Sequence, residues 1–274
     1  MQGGYARHPL PLADWIPVIS FLSRPVRLIA LIVLVGVAGG AYWVWHGAST
    51  STAVDKTDAL AEFRDTEAVA PTESRPGIPR AGVYRYRVTG EESAGTGVLS
   101  AERALPSEAI YVISPNAGGY REDLRLSEEH VEEARFQVTP EGTSAAWRRT
   151  KVTFVGIGED SRDDVVPVAL DHPRPMKAGA TWGGKYTLGP LVVTYTARVT
   201  GAGTAKIDGR DVRTVTYRTD ATFTGPTPGT RTDIVTFAPS LSLPVTWSID
   251  QTTGGSADFT ISADLALVSG TPEQ

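Results

Sequence analysis

Hydrophobic and polar positions follow two different rules along this chain. Over residues 28–45 the sequence LIALIVLVGVAGGAYWVW carries no charge, with Arg27 before it and His46 after it. At about 1.5 Å per helical residue the run reaches ~27 Å, close to a hydrocarbon core of roughly 30 Å, and predicts one transmembrane helix. From Gly82 onward the period changes to two. Tyr84, Tyr86 and Val88 alternate with Arg85, Arg87 and Thr89, and Val193, Tyr195, Ala197 and Val199 alternate with Thr194, Thr196, Arg198 and Thr200. The alternation returns at Val215, Tyr217, Ala221 and Phe223, at Val245, Trp247 and Ile249, and at Phe259, Ile261, Ala263, Leu265 and Leu267. Strands apolar on one face and rich in Thr, Ser, Asp and Arg on the other belong to antiparallel sheets with one wet side.

Turn chemistry agrees with this reading. Asp208-Gly209, between AKI and RDV, is a two-residue hairpin signal, and Gly254-Gly255 separates two C-terminal strands. Further strands are predicted over 109–114, 144–155, 165–170 and 181–188, giving roughly ten or more in all. The segment SEEHVEEAR at 127–135 is Glu-rich like a helix turn, but Leu124, Leu126, Ala134, Phe136 and Val138 keep strand parity, and it is assigned to a strand. Residues 81–270 hold no amphipathic helix long enough to cover the apolar face, so the sheet must cover itself. The predicted fold is mainly β: a large curved antiparallel sheet, as a half-barrel or partly closed barrel, with two packed layers as the alternative.

Charge and composition narrow the function classes. The 274 residues have a net charge of −5, and their Lys and Arg form no basic patch, which argues against nucleic acid as a partner. The absence of cysteine removes disulfides, thiolate metal sites, a Cys nucleophile and a lipidated cysteine together. Arg greatly outnumbers Lys and Asn116 is the sole asparagine, a coding bias typical of high-GC bacteria.

The charges also orient the predicted span. Arg7, Arg24 and Arg27 precede it against Asp14 alone, whereas acids outnumber bases over 53–80. Positive residues favour the cytoplasm, so residues 1–27 are predicted to be a cytoplasmic head and 81–270 an extracytoplasmic domain of a single-pass cell-membrane protein. Trp15 falls at the inner interface and Trp43 and Trp45 at the outer aromatic belt. A cleaved signal peptide is the competing reading; it needs an unusually long charged region and an apolar run beyond the usual ~7–15 residues. Gly36 and Gly40 form a GxxxG pair able to bring the helix against a second copy or another membrane protein. Residues 46–80, rich in Ser, Thr, Ala, Pro and charge, read as a flexible tether with one short helical piece at 57–66.

Three stretches carry a family resemblance: GVYRYRVTG from Gly82, DHPRPMKAGATW at 171–182 and FAPSLSLPVTW at 237–247. Together they resemble uncharacterised actinobacterial single-pass membrane-anchored β proteins. More distantly, the pattern is similar to the curved-sheet lipoprotein-carrier group, whose members hold lipid in a half-barrel. The resemblance implies an envelope protein that binds an apolar ligand or lipid. The chain departs from that group in having no lipobox cysteine and a helix in its place, so shuttling between membranes does not carry over. The same motifs have a structural reading, with Pro244 at a strand entrance where no ladder donor is needed and Gly179 in a tight turn before Trp182.

The search for chemistry predicts no catalytic residue, no metal site and no cofactor. Glu128, Glu129, His130, Glu132 and Glu133 are not in HExxH order and read as a solvated edge strand or helix face. Glu159, Asp160, Asp163 and Asp164 crowd what reads as a loop, but EF-hand spacing is missing and Arg162 sits among them. Gly201-Ala202-Gly203 lacks the following helix that a phosphate loop requires. Asp171 and His172 could orient an imidazole, in what reads as an exposed loop. The expectation is a non-enzymatic, membrane-tethered envelope domain whose sheet holds an apolar ligand against Tyr84, Tyr86, Trp182, Tyr195, Tyr217 and Trp247. Two alternatives stand beside it: a scaffold acting through the Gly36/Gly40 face, and a hydrolase using the acids or His172.

Overall fold

The computed structural model describes residues 51–66, 76–96, 99–154 and 157–274. The predicted span at 28–45, the interfacial Trp15, Trp43 and Trp45, and the Gly36/Gly40 pair lie outside the described residues. Among the described residues no helix is long and apolar enough to cross a membrane. They form one helix, α1 (Lys56–Thr66), and thirteen strands. In chain order these are β1 (Gly82–Thr96), β2 (Leu99–Ala104), β3 (Glu108–Asn116), β4 (Gly119–Arg125), β5 (His130–Thr139), β6 (Gly142–Phe154) and β7 (Ile157–Pro173). After them come β8 (Thr181–Leu188), β9 (Leu191–Ile207), β10 (Arg210–Thr224), β11 (Gly229–Ala238), β12 (Leu243–Thr253) and β13 (Asp258–Leu267).

The strands pair antiparallel with their sequence neighbours, and β13 returns to pair β1 from Tyr86↔Leu267 to Gly95↔Asp258. The result is a closed twelve-strand barrel rather than a half-barrel or partly closed one. Closure depends on the length of β1. Its first half, Gly82 to Arg87, pairs β3, while its second half, from Glu91 to Thr96, pairs β2 on the same edge. Alternation in sequence is identical for an open and a closed sheet, so only this pairing distinguishes them. Closing the ring also pairs the edges of β1 and β13 that would otherwise template pairing with another chain.

Local signals place the turns. Asp208 and Gly209 have φ of 49° and 76°, the left-handed pair of a type I′ turn whose twist matches the long β9–β10 hairpin. Gly201, Ala202 and Gly203 lie within β9, which runs on unbroken through AKI. The acids at 159–164 are likewise not in a loop. They belong to β7 and pair with β6, where Arg149 grips Asp160 through two bonds of 2.7 and 2.8 Å.

Strand β3 is buried on both faces because α1 covers its outer side. Asp55 caps the helix by accepting a bond from the Thr57 N–H at 2.6 Å. Ala59, Leu60 and Phe63 then fall on one side and bury against Val83, Ile110 and Val112 of the barrel wall. Lys56 reaches Glu273 at 3.0 Å and Arg125 reaches Glu62 at 2.9 Å, while Thr52 Oγ1 donates to Glu129 at 2.6 Å. Residues 51–66, read from composition as part of the tether, are therefore docked on the barrel. A three-residue apolar stripe is too short to raise the composition of the segment, yet long enough to seat one helix. Phe63→Ala should cost about 3–5 kcal/mol of the helix-to-barrel packing, a range typical of buried aromatic truncation. Hydrogen exchange should show α1 amides losing protection while the β1–β13 ladder keeps its own.

A half-filled lumen as the candidate binding site

The interior of the barrel is filled on one side and open on the other. Strands β1, β3, β4, β12 and β13 send Tyr84, Tyr86, Tyr111, Tyr120, Leu124, Ile249 and Leu265 into one buried cluster. Across the ring, Thr150, Ser161, Ala169, Thr219 and Ala221 face the lumen, and side chains of this size cannot fill it. A cavity of about 670 Å³ remains. That volume lies within the ~300–1,000 Å³ of small-molecule sites. Its apolar wall includes Phe136, Leu188, Val193, Phe223, Val235 and Phe259.

A chain of alternating charges braces the lumen. Strands β5 and β11 stand six places apart in either direction around the ring, yet Glu132 and Arg231 meet through a fork of 2.8 and 3.2 Å. Arg231 also holds Asp233 at 2.9 Å and Gln251 at 3.1 Å, and Trp247 Nε1 donates to Asp233 at 2.9 Å. On the other side of Glu132, His130 stands 3.6 Å from it and 2.7 Å from Glu92, which accepts from Arg103 at 2.6 Å. Burial disfavours the His130 cation, but its bonds with Glu132 and Glu92 prevail and raise its pKa to about 9. Burial likewise opposes ionisation of Glu132, and Arg231 with His130 overcomes it and holds the carboxyl well below its usual range. His130, Glu132 and Arg231 are therefore all charged at neutral pH.

A second polar group borders the cavity. Glu122, Ala134 and Arg148 stand in register across β4, β5 and β6, so the two long side chains leave the wall roughly 10 Å apart with only a methyl between them. Glu122 accepts a short hydrogen bond from the Tyr111 hydroxyl. Burial pushes its pKa to about 7; the Tyr111 bond opposes this and the nearby Asp171 adds to it. Arg148 reaches Asp171 Oδ1 only at 3.5 Å, and its Nε finds no hydrogen-bond partner. Asp171 Oδ2 lies 2.9 Å from His172 Nδ1. Burial works against the Asp171 anion, and His172 and Arg148 together keep its pKa below the ordinary value.

The ring is thinnest between β7 and β8, which share only Val165↔Leu188 and Val166↔Thr187. Side chains take over where the ladder stops. Trp182 Nε1 donates to the Asp171 carbonyl at 2.7 Å, the Tyr195 hydroxyl to the Leu170 carbonyl at 2.9 Å, and Thr187 Oγ1 to the Val166 carbonyl at 3.1 Å. These bonds satisfy carbonyls that would otherwise lack a partner in the wall.

The six aromatics expected at a ligand divide between the two sides. Tyr195, Tyr217 and Trp247 line the cavity. Tyr84 and Tyr86 belong to the filled side, with hydroxyls on the Arg80 and Pro244 carbonyls at 2.8 and 2.7 Å. Trp182 packs 5.6 Å from the Tyr217 ring, at the β7–β8 seam. His130 is not on a solvated edge, since the barrel has none there and both ring nitrogens face buried carboxylates. His172 is buried at the end of β7 rather than in an exposed loop, 4.8 Å from the Phe237 ring. No hydroxyl bonds its imidazole, and no group of three His, Asp or Glu side chains could hold a metal, among the described residues. Glu122, Arg148 and Arg231 were not singled out from the sequence. The readable signal was parity: Glu122 sits between Tyr120 and Leu124, and Arg231 and Asp233 precede Val235 and Phe237, all on the apolar phase of their strands.

No protein-family model matches the chain, and no curated protein matches it. Among solved structures it is similar to the hypothetical lipoprotein YmcC from Escherichia coli (K12). The identity is 10% and the TM-score 0.33, over 80% of this chain and 100% of that one. A likeness at that level carries no argument about this chain.

Two substitutions test the electrostatic frame. Glu132→Gln strips the anion that faces both Arg231 and His130 and should cost about 3–5 kcal/mol, measured by chemical denaturation. Glu122 has a folded pKa above its unfolded one, so between pH 4.5 and about 7 the folded state retains a proton that the unfolded state has released. Stability therefore falls as pH rises through that window, by roughly 2 kcal/mol once screening by lumen water is allowed for. Glu122→Gln should flatten this decline. The decline from His130, whose stabilisation is complete below about 6.5 and lost as pH rises through about 9, should remain.

Proposed function

We propose that this barrel is a non-enzymatic holder of an apolar-bodied small molecule or lipid in the bacterial envelope. The observation that carries the reading is the cavity of about 670 Å³, walled by aromatic and aliphatic side chains on β5 to β11 and enclosed by a complete ring of strands. A lumen that only needed to be packed would carry large residues at Ala145, Ala169 and Ala221, as β1 and β3 do at Tyr86 and Tyr111. Small residues in a closed barrel keep space open, at a cost in lost packing of about 1 kcal/mol for each missing methyl group. The apolar run at 28–45 and the excess of Arg before it support a location at the membrane and outside the cytoplasm, next to a source of apolar ligands.

Solvent extraction of the full chain, purified without added lipid, should release a long-chain amphiphile in near-stoichiometric amount by mass spectrometry. Ala169→Trp, which fills the lumen from β7, should reduce that amount at least about fivefold while circular dichroism stays unchanged. Equal amounts released from both proteins, or none from either, would sink the reading.

A further inference from the structure

We propose that the lumen selects an amphiphile with a singly charged carboxylate head, seated on the guanidinium of Arg148 between Glu122 and Asp171; this rests on the ligand-holding reading above. The basis is an unequal distribution of partners among the cations that border the cavity. Arg231 is gripped by Glu132, Asp233 and Gln251, Arg149 by Asp160 and Glu133, and His130 by Glu92 and Glu132. Arg148 has one carboxylate at 3.5 Å and a buried Nε with none. The side chain is one-third exposed, so an oxyanion entering the lumen meets terminal guanidinium nitrogens that make no hydrogen bond, while the buried Nε is closed to it. A planar carboxylate can accept from the two terminal nitrogens through parallel N–H bonds.

The number of charges favours a carboxylate over a phosphate monoester. Asp171 already offsets part of the Arg148 charge, and Glu122 stands in the same row two strands away. A dianion would meet both carboxyl groups with one cation between them. A monoanion is neutralised by Arg148, and Glu122, already holding a proton up to about pH 7, can donate it as a hydrogen bond. The next row along the same strands is Tyr120, Phe136, Ala145 and Ala169, in register across β4 to β7. The apolar body would lie along it, against Leu188 and Val193 of the adjoining strands β8 and β9.

The test uses the full chain in nanodiscs and three probes with one photoactivatable sixteen-carbon body, ending in a carboxylic acid, an alcohol or a phosphate. Mass spectrometry of labelled lumen peptides reads occupancy, each probe being compared between the variant and the unaltered chain at equal nanodisc lipid so that its partition into the bilayer cancels. Arg148→Met should reduce acid labelling at least about tenfold and leave alcohol labelling within about twofold, the loss expected for a charged bond in a partly buried site. Arg148→Lys, which keeps the charge and loses the fork, should fall between. Asp171→Asn removes the competing carboxylate and should raise acid labelling; it serves as the decisive variant where Arg148→Met does not fold. Acid labelling unchanged in Arg148→Met, acid and alcohol falling together, or the phosphate probe labelling best would each overturn the carboxylate assignment. Absence of lumen labelling by all three probes in the unaltered chain would instead overturn the ligand-holding reading itself.

Discussion

Ring width is the constraint on which the rest of this structure depends. A barrel of about eight strands is narrow enough for its own side chains to fill, and a wider ring is not. Twelve strands closed by the β1–β13 ladder leave an interior that must be treated by other means. One means is large residues, and Tyr84, Tyr86, Tyr111 and Tyr120 fill the side nearest the closure. The other is a brace, and Glu132 and Arg231 tie walls that stand six strands apart. Two extended charged side chains span the gap and fix each other's geometry through a directional fork.

The brace comes with an electrostatic condition. A buried charge costs several kcal/mol unless it is paired and hydrogen-bonded, so one ion pair across the lumen requires further pairs behind it. The sequence Arg103, Glu92, His130, Glu132, Arg231, Asp233 meets that condition by strict alternation of sign. It also explains why His130 is charged well above ordinary imidazole pH, since a neutral ring would leave two carboxylates without a cation between them. The weak β7–β8 seam has the same logic on the neutral side. Pro167 offers no N–H, the ladder is short, and Trp182, Tyr195 and Thr187 supply donors from their side chains.

Period-two patterning made the strands legible, and Asp208-Gly209 made the β9–β10 hairpin legible, because both are local properties of the backbone. Closure was not legible, since Tyr86 and Leu267 are far apart in sequence and nothing in their own segments specifies that they pair. The helix α1 was legible at 57–66, but its docking was not: Ala59, Leu60 and Phe63 are too few to mark a stripe until a wall bearing Ile110 and Val112 is placed opposite. The site was half legible. Tyr195, Tyr217 and Trp247 were named because aromatics on an apolar phase stand out. Glu122, Glu132, Arg148 and Arg231 look like surface charges when each strand is read alone. They become lumen charges only when the parity of Tyr120, Ala134 and Val235 assigns them to the inner face.

The two charged groups of the lumen then differ in kind. Every member of the brace has its partners within the protein, so its energy is spent on holding the walls. Arg148 does not: Ala134 separates it from Glu122 by about two strand spacings, and neither Asp163, in register with it on β7, nor Asp171, at 3.5 Å, accepts a hydrogen bond from it. A larger residue at position 134 would close the gap and fill the lumen, and a carboxylate there would quench the cation. Alanine does neither. The same small side chain therefore leaves space and leaves a cation facing it, and the proposed head-group site rests on these two properties together.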